Sequence, residues 1–238
     1  MIALIVPAGV EVADATGPLP GEALLPEEEV FVARAVGRRR AEFTTVRTCA
    51  RIALGRLGLP PAPLLSGPKR EPLWPAGVVG SITHCDGYRA AAVARASEVA
   101  AIGIDAEPQD PLPAGILDRV TLPAERAHLA DLPAGVHWDR LLFSAKESVY
   151  KTWFPLTGRW LGFEEAALLL APGTLATGMP SPVSAVSSSR STPAPVIWMS
   201  LSSQPSNRVP GSFGPTAGMT SADTSASRCR SAGSSGLV

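Results

Sequence analysis

The stretch that decides the fold is Val78-Val79-Gly80-Ser81-Ile82, then Thr83-His84-Cys85-Asp86-Gly87, then Tyr88 to Val93, and after a short interval Val99 to Ile104 leading into Asp105-Ala106-Glu107-Pro108. It reads as three short β-strands, with Thr83 to Gly87 as the connection between the first two and Asp86-Gly87 as its turn. Upstream, Val30, Phe31, Ala33, Val36, Phe43, Val46, Ala50, Ala53, Leu54 and Leu57 recur at three- and four-residue steps. That spacing predicts one or two helices over 27–57, stopped by Gly58 and Pro60-Pro61. Downstream, Trp138, Leu141, Leu142, Ala145, Val149 and Trp153 share a helical face over 138–153, with Pro155 expected to end it. Pro123 reads as the start of a shorter helix. Gly162-Phe163 opens an expected final strand through Ala166, Leu168 and Leu170, and the apolar Met1 to Pro7 reads as a first strand. Helix followed by strands, twice over, predicts an α+β fold of two halves, 1–102 and 103–170.

A composition break follows. Residues 171–238 hold 17 serines, a single acid (Asp223) and no lysine, whereas residues 1–170 hold 20 of the 21 acids and every lysine. Beyond Val196-Ile197-Trp198-Met199 hydrophobic periodicity is nearly absent, so the segment cannot bury enough apolar surface to offset its chain entropy. It is expected to be mostly disordered. A natural low-complexity tail and a reading-frame shift near residue 172 are alternative origins, and in either case the second half is incomplete at its C-terminus.

The balance of charge bounds the partners. Twenty-one basic and 21 acidic residues give a formal net charge of zero, and aromatics are 5% of the chain, which argues against nucleic-acid binding. Cys49, Cys85 and Cys229 are scattered, so neither a zinc ribbon nor a disulfide framework is indicated, and a reducing cytoplasm is expected. No apolar run approaches the roughly 20 residues of a membrane-spanning helix.

Four places carry candidate chemistry. On an extended chain Asp105 and Glu107 face the same way, roughly 6–7 Å apart, and a hard cation would relieve their repulsion; an acidic loop start is the alternative. Glu147 and Lys151 lie one helical turn apart, either as a surface ion pair or, since Val149 and Trp153 flank them, as part of a buried site. His84 follows a buried strand beside a turn, as a core residue or a ligand contact. Arg38, Arg39, Arg40, Arg47 and Arg51 form either a solvated helix face or an arginine fork for phosphate.

Taken in order, Gly80-Ser81-Ile82-Thr83-His84, Gly103-Ile104-Asp105-Ala106-Glu107 and Ala145-Lys146-Glu147-Ser148 with Tyr150-Lys151 resemble the three motifs of the surfactin/enterobactin type of 4′-phosphopantetheinyl transferase. Glu42 to Arg47 with Cys49-Ala50-Arg51, Arg70-Glu71-Pro72 with Trp74-Pro75, and Trp153 to Phe163 resemble its actinobacterial branch. The similarity covers about residues 25–170.

The resemblance implies two pseudo-symmetric α/β halves in one chain, hence a monomer. It implies transfer of the 4′-phosphopantetheine arm of coenzyme A to a serine of an apo acyl or peptidyl carrier protein, in siderophore, polyketide, antibiotic or lipid biosynthesis. Asp105, Glu107 and Glu147 would hold Mg²⁺, with Glu147 also the base. His84, with Arg39 and Arg47, would meet the 3′-phosphate, and Ser81 would also take part in binding coenzyme A. Arg70, or Lys69, would approach the nucleotide, and Lys146 and Lys151 would neutralise the phosphates. Two other readings remain: another Mg²⁺-dependent phosphate-transfer enzyme, though no G-x-x-x-x-G-K-[ST] loop occurs, and a CoA- or carrier-binding homologue inactivated by its altered C-terminus.

Overall fold

Tyr88–Arg95 reads Tyr-Arg-Ala-Ala-Ala-Val-Ala-Arg, and its alanines are small because the strand is covered on both faces. The computed structural model describes residues 2–170 and the backbone of 173–174, 180–181 and 196–203. The strands and helices run β1 (Val10–Ala15), α1 (Pro26–Glu29), α2 (Gly37–Arg56), β2 (Leu65–Ser66), β3 (Pro72–Leu73), β4 (Val78–Cys85), β5 (Tyr88–Arg95), β6 (Ala101–Pro108), α3 (Leu117–Val120), α4 (Pro123–Ala130), α5 (Trp138–Thr157), β7 (Gly173–Thr174), β8 (Pro180–Ser181) and β9 (Val196–Ser203). The α+β class holds.

One sheet is antiparallel in the order β1-β5-β4. On one of its faces Ala91 and Val93 of β5 pack with Cys49, Ala50, Ala53 and Leu54 of α2. On the other, Ala90, Ala92 and Ala94 pack with Ile102, Ile104 and Ala106 of β6. The link from β4 to β6 runs through side chains. Ser81 Oγ accepts from the Ile104 amide at 3.1 Å, and Thr83 Oγ1 accepts from the Ala106 amide at 3.0 Å. These bonds satisfy buried amides and set the depth at which Asp105 sits.

Helix α5 covers β6, and Gly103 allows it: a Cβ there would overlap the Ser148 carbonyl oxygen and Thr152 Oγ1. The opposite side of α5 builds a separate core of Trp138, Leu141, Leu142 and Ala145 with Leu168 and Leu170.

Several expectations are corrected. The first strand is Val10–Ala15, not Met1 to Pro7, where Ile2–Leu4 forms a 3₁₀ turn; the alternation Val-Glu-Val-Ala-Asp-Ala pairs with β5. Thr83, His84 and Cys85 belong to β4 because the hairpin loop is only Asp86-Gly87, with Gly87 at φ 76° and Cys85 opposite Tyr88. Pro155 does not end α5, which continues to Thr157 and stops at Gly158 in the left-handed region. Residues 163–170 form a 3₁₀ turn and an extended segment rather than a strand, and the Leu168 amide donates to Glu125 Oε1 instead of to a neighbouring strand.

In the serine-rich segment, β7 pairs with β8, and β9 pairs in parallel with β6 over its full length. β9 contains the segment's one apolar run, Val196-Ile197-Trp198-Met199. The rest of 171–238 lies outside the described residues.

Candidate active site

Arg140, Ser144, Glu147 and Lys151 follow one another on α5 at steps of four, three and four, so they form one stripe, and that stripe faces β6. Asp105 is 4% exposed and lies under it. Lys151 Nζ donates to Asp105 Oδ1 at 2.7 Å and to the Ile104 carbonyl at 3.2 Å. Ser144 Oγ donates to Asp105 Oδ2 at 2.7 Å, and Thr83 Oγ1 reaches Oδ1 at 3.4 Å. Two residues along β6, Glu107 meets Arg140 Nη1 at 2.9 Å. Glu147 is 3% exposed, and its Oε2 is buried without a hydrogen-bond partner among the described residues.

The three carboxylates are electrostatic neighbours. Burial above all, then the Asp105 charge, pushes Glu147 up to about 7, with Lys151 pulling it down and Glu107 adding to the rise. Burial and Asp105 also raise Glu107, opposed by Arg140 and Lys151. Three acids face two bases, so full ionisation leaves one uncompensated buried negative charge. That excess, together with the unpartnered oxygen of Glu147, fits a hard divalent cation. Among the described residues, no trio of His, Cys, Asp or Glu side chains is arranged to hold a metal ion as it stands. Asp105 and Glu107 are each turned onto a cationic side chain, so the expected ligand set is assembled as neighbours rather than as a ready-made cage.

A cavity of about 500 Å³ adjoins this cluster, with Lys151 and Ser81 in its wall beside Trp74, Ile82, Ile102 and Phe154. The lining is mostly apolar, with Ser81, Lys151 and Glu71 as its polar side chains.

The basic region resolves into separate pieces. Arg39 Nη1 donates to His84 Nε2 at 2.6 Å, which requires that nitrogen to be unprotonated. Burial first, then the Arg39 charge, lowers His84 to about 4, and Glu42, 3.9 Å from the same nitrogen, only partly offsets this. Arg47 is 4% exposed, stacks over the Phe43 ring at 3.6 Å and donates to Ser66 Oγ. Its Nε is buried without a partner, and burial lowers its guanidinium to about 10. A buried cation with an unused donor and, among the described residues, no salt-bridge partner is suited to an anionic ligand.

The remaining candidates stand in different surroundings. Arg40 is paired with Glu29, and Arg51 with the fully buried Glu28, so neither completes an arginine fork. Lys146 lies on the other side of α5, bound to Glu125 at 2.7 Å and to the Phe163 carbonyl at 2.8 Å. It ties α5 to α4 and to the 160s segment. Ser81 is committed to the Ile104 amide. Lys69 and Arg70 stand on an exposed turn, where Arg70 adopts φ 69°. Sequence reasoning missed Arg140 and Ser144, although their spacing from Glu147 on a helix was the available signal.

Two family models match the chain, the 4′-phosphopantetheinyl transferase N-terminal domain over residues 27–94 and the 4′-phosphopantetheinyl transferase superfamily over 101–182. Among curated relatives, the 4′-phosphopantetheinyl transferase PptT of Mycobacterium tuberculosis is 62% identical over 148 residues, covering 62% of this chain and 65% of the relative. Svp of Streptomyces mobaraensis is 63% identical over 156 residues, covering 64% and 63%. Npt of Nocardia iowensis is 54% identical over 166 residues, covering 70% and 75%. The chain thus matches just under two thirds of the length of the first two and three quarters of the third.

Proposed function

The chain belongs to the 4′-phosphopantetheinyl transferase superfamily, and from that premise we propose that it moves the 4′-phosphopantetheine arm of coenzyme A onto a serine of an apo acyl or peptidyl carrier protein. The observation that carries the reading is Glu147: a buried carboxylate raised to about 7, with one oxygen unpartnered, beside the Asp105–Lys151 pair.

In this reading the carrier serine Oγ attacks the β-phosphorus of coenzyme A. The new P–O bond replaces the bond to the leaving group, which departs as adenosine 3′,5′-bisphosphate. Glu147 Oε2 takes the serine proton, directly or through one water; a carboxylate titrating near neutrality is matched to that task. Lys151 stands where charge builds up on the pyrophosphate, already oriented by Asp105 and Ile104. Asp105, Glu107 and Glu147 are the side chains that would hold Mg²⁺, whose chemistry when bound is to neutralise and polarise the pyrophosphate. Arg39, His84 and Arg47 take the 3′-phosphate, with His84 neutral and the arginines supplying the charge. Arg70 or Lys69 reaches the nucleotide from its exposed turn. The apolar cavity beside Lys151 has the size and lining for the pantetheine arm.

Both helix-bearing halves lie in one chain, which supports a monomer. Cys49 and Cys85 are free thiols, which supports a cytoplasmic setting, and no helix among the described residues is long and apolar enough to cross a membrane. The test is to incubate the protein with coenzyme A, Mg²⁺ and an apo carrier protein and to weigh the carrier. One added phosphopantetheine per carrier is expected. An unchanged carrier mass, with coenzyme A still bound, would overturn the transfer reading.

A further inference from the structure

The chain leaving β6 is tied to the start of α5 by two consecutive residues. Arg140 Nη1 donates to Glu107 Oε2 at 2.9 Å, its Nε to the Asp110 carbonyl at 3.2 Å, and its Nη2 to the Pro111 carbonyl at 2.8 Å. Asp139 Oδ2 accepts from the Leu112 amide at 2.8 Å. One guanidinium therefore spans a carboxylate and two carbonyls of a segment that Pro108 and Pro111 keep from continuing the strand. Glu107 is the penultimate residue of β6, just before that segment, and the Arg140 side chain is 17% exposed.

We propose that Arg140 is a positioning residue for the metal site: it locks Glu107 and the exit of β6 onto the helix that carries Glu147, so that carboxylates from two different elements keep a fixed spacing. The inference rests on the metal role proposed for Glu107. Without Arg140, Glu107 loses its own hydrogen bond and the chain leaving β6 loses two of the hydrogen bonds fixing it, and the carboxylate samples orientations that face away from Glu147. The guanidinium also offsets part of the repulsion between Glu107 and Asp105, which burial strengthens. Groups that hold a ligating carboxylate in this way typically contribute about 10–100-fold to metal affinity.

The test uses Mn²⁺ as a spectroscopic stand-in for Mg²⁺, with binding to the full chain in the presence of coenzyme A read from the loss of the free-ion electron paramagnetic resonance signal. Wild type, Arg140→Gln, Glu107→Gln and the double variant form a cycle. Arg140→Gln is expected to weaken Mn²⁺ binding by roughly 10–100-fold. In the Glu107→Gln background the same change is expected to add nothing, because Arg140 then has no ligand to position. A merely structural role would lower the melting temperature in both backgrounds without this loss of coupling. Should Arg140→Gln not fold, Arg140→Lys, which keeps the charge and loses the fork, carries the same cycle with a smaller effect. Wild-type affinity in the Arg140 variant, or effects that multiply in the double variant, overturns the inference and leaves the metal reading standing. No Mn²⁺ binding by wild type overturns both.

Discussion

Lys151 Nζ lies 2.7 Å from Asp105 Oδ1, and both side chains are buried, at 8% and 5% exposure. The pair ties the fourth turn of α5 to the middle of β6, and removing one partner leaves the other's charge without compensation. Lys151→Met is expected to cost roughly 3–5 kcal/mol of stability and to lower kcat/KM by about 10²–10³, the usual loss when a preorganised cation is removed. Thermal melts and steady-state transfer assays measure the two separately. A variant with wild-type kcat/KM would show that Lys151 is structural only.

Glu147 makes a prediction about pH. Its carboxyl is raised from 4.5 to about 7, so the folded state holds the proton more tightly than the unfolded chain. The stability this contributes is fully present below pH 4.5 and is lost as pH rises through 7. Glu147→Gln cannot ionise and escapes that loss. The metal-free variant should melt at the wild-type temperature near pH 4.5 and higher than wild type at pH 8, by up to about 3 kcal/mol, while transfer is abolished. Calorimetry at the two pH values decides it; an equal offset at both would mean that Glu147 does not titrate in this window.

How much of this was legible beforehand differs by element. The carboxylates and Lys151 could be read because a strand alternates at two and a helix repeats at about 3.6, and neither rule needs tertiary information. The same rules contained Arg140 and Ser144, but polar residues on an otherwise apolar helix read as its solvent face until β6 is known to cover them. The Glu125 partner of Lys146 was hidden for a related reason: adjacent helical residues point about 100° apart, and only the position of Glu125 shows which side holds a partner. The Leu168 and Leu170 alternation was real, yet the hydrogen-bond partner was a glutamate side chain, and that long-range choice leaves no local trace. β9 escaped because a parallel partner is remote in sequence, while prolines precede its apolar run and serines follow it.

His84 titrates with the opposite sign. It is lowered from 6.5 to about 4, so the unfolded chain takes the proton first; its contribution is fully present above pH 6.5 and is lost as pH falls through 4. Between pH 4.5 and 6.5 the His84 and Glu147 effects oppose each other, and wild type should show a flatter profile than either single variant. His84→Gln should remove the acid-side loss and expose the Glu147 slope. If His84 serves the 3′-phosphate, the same variant should raise KM for coenzyme A several-fold and leave KM for 3′-dephospho-coenzyme A nearly unchanged. A parallel rise for both substrates would place His84 elsewhere.

Gly103 is the point where α5 and β6 approach most closely, and it tests whether that approach makes the site. A methyl group there would meet the Ser148 carbonyl oxygen, which belongs to helix backbone and cannot rotate aside, as well as Thr152 Oγ1. The helix must shift outward, carrying Ser144, Glu147 and Lys151 away from Asp105, so bonds of 2.7 Å from Ser144 and Lys151 are lost together. Gly103→Ala is therefore expected to destabilise by about 1–3 kcal/mol through overpacking and to reduce kcat far more than a variant of equal stability loss in the Leu141, Leu142 and Leu168 core on the other side of α5. Comparing Gly103→Ala with Leu168→Ala at matched folded fraction separates the two effects, because both variants loosen α5 but only the first displaces its polar stripe. Equal kcat in the two would show that the spacing between α5 and β6 does not govern the chemistry.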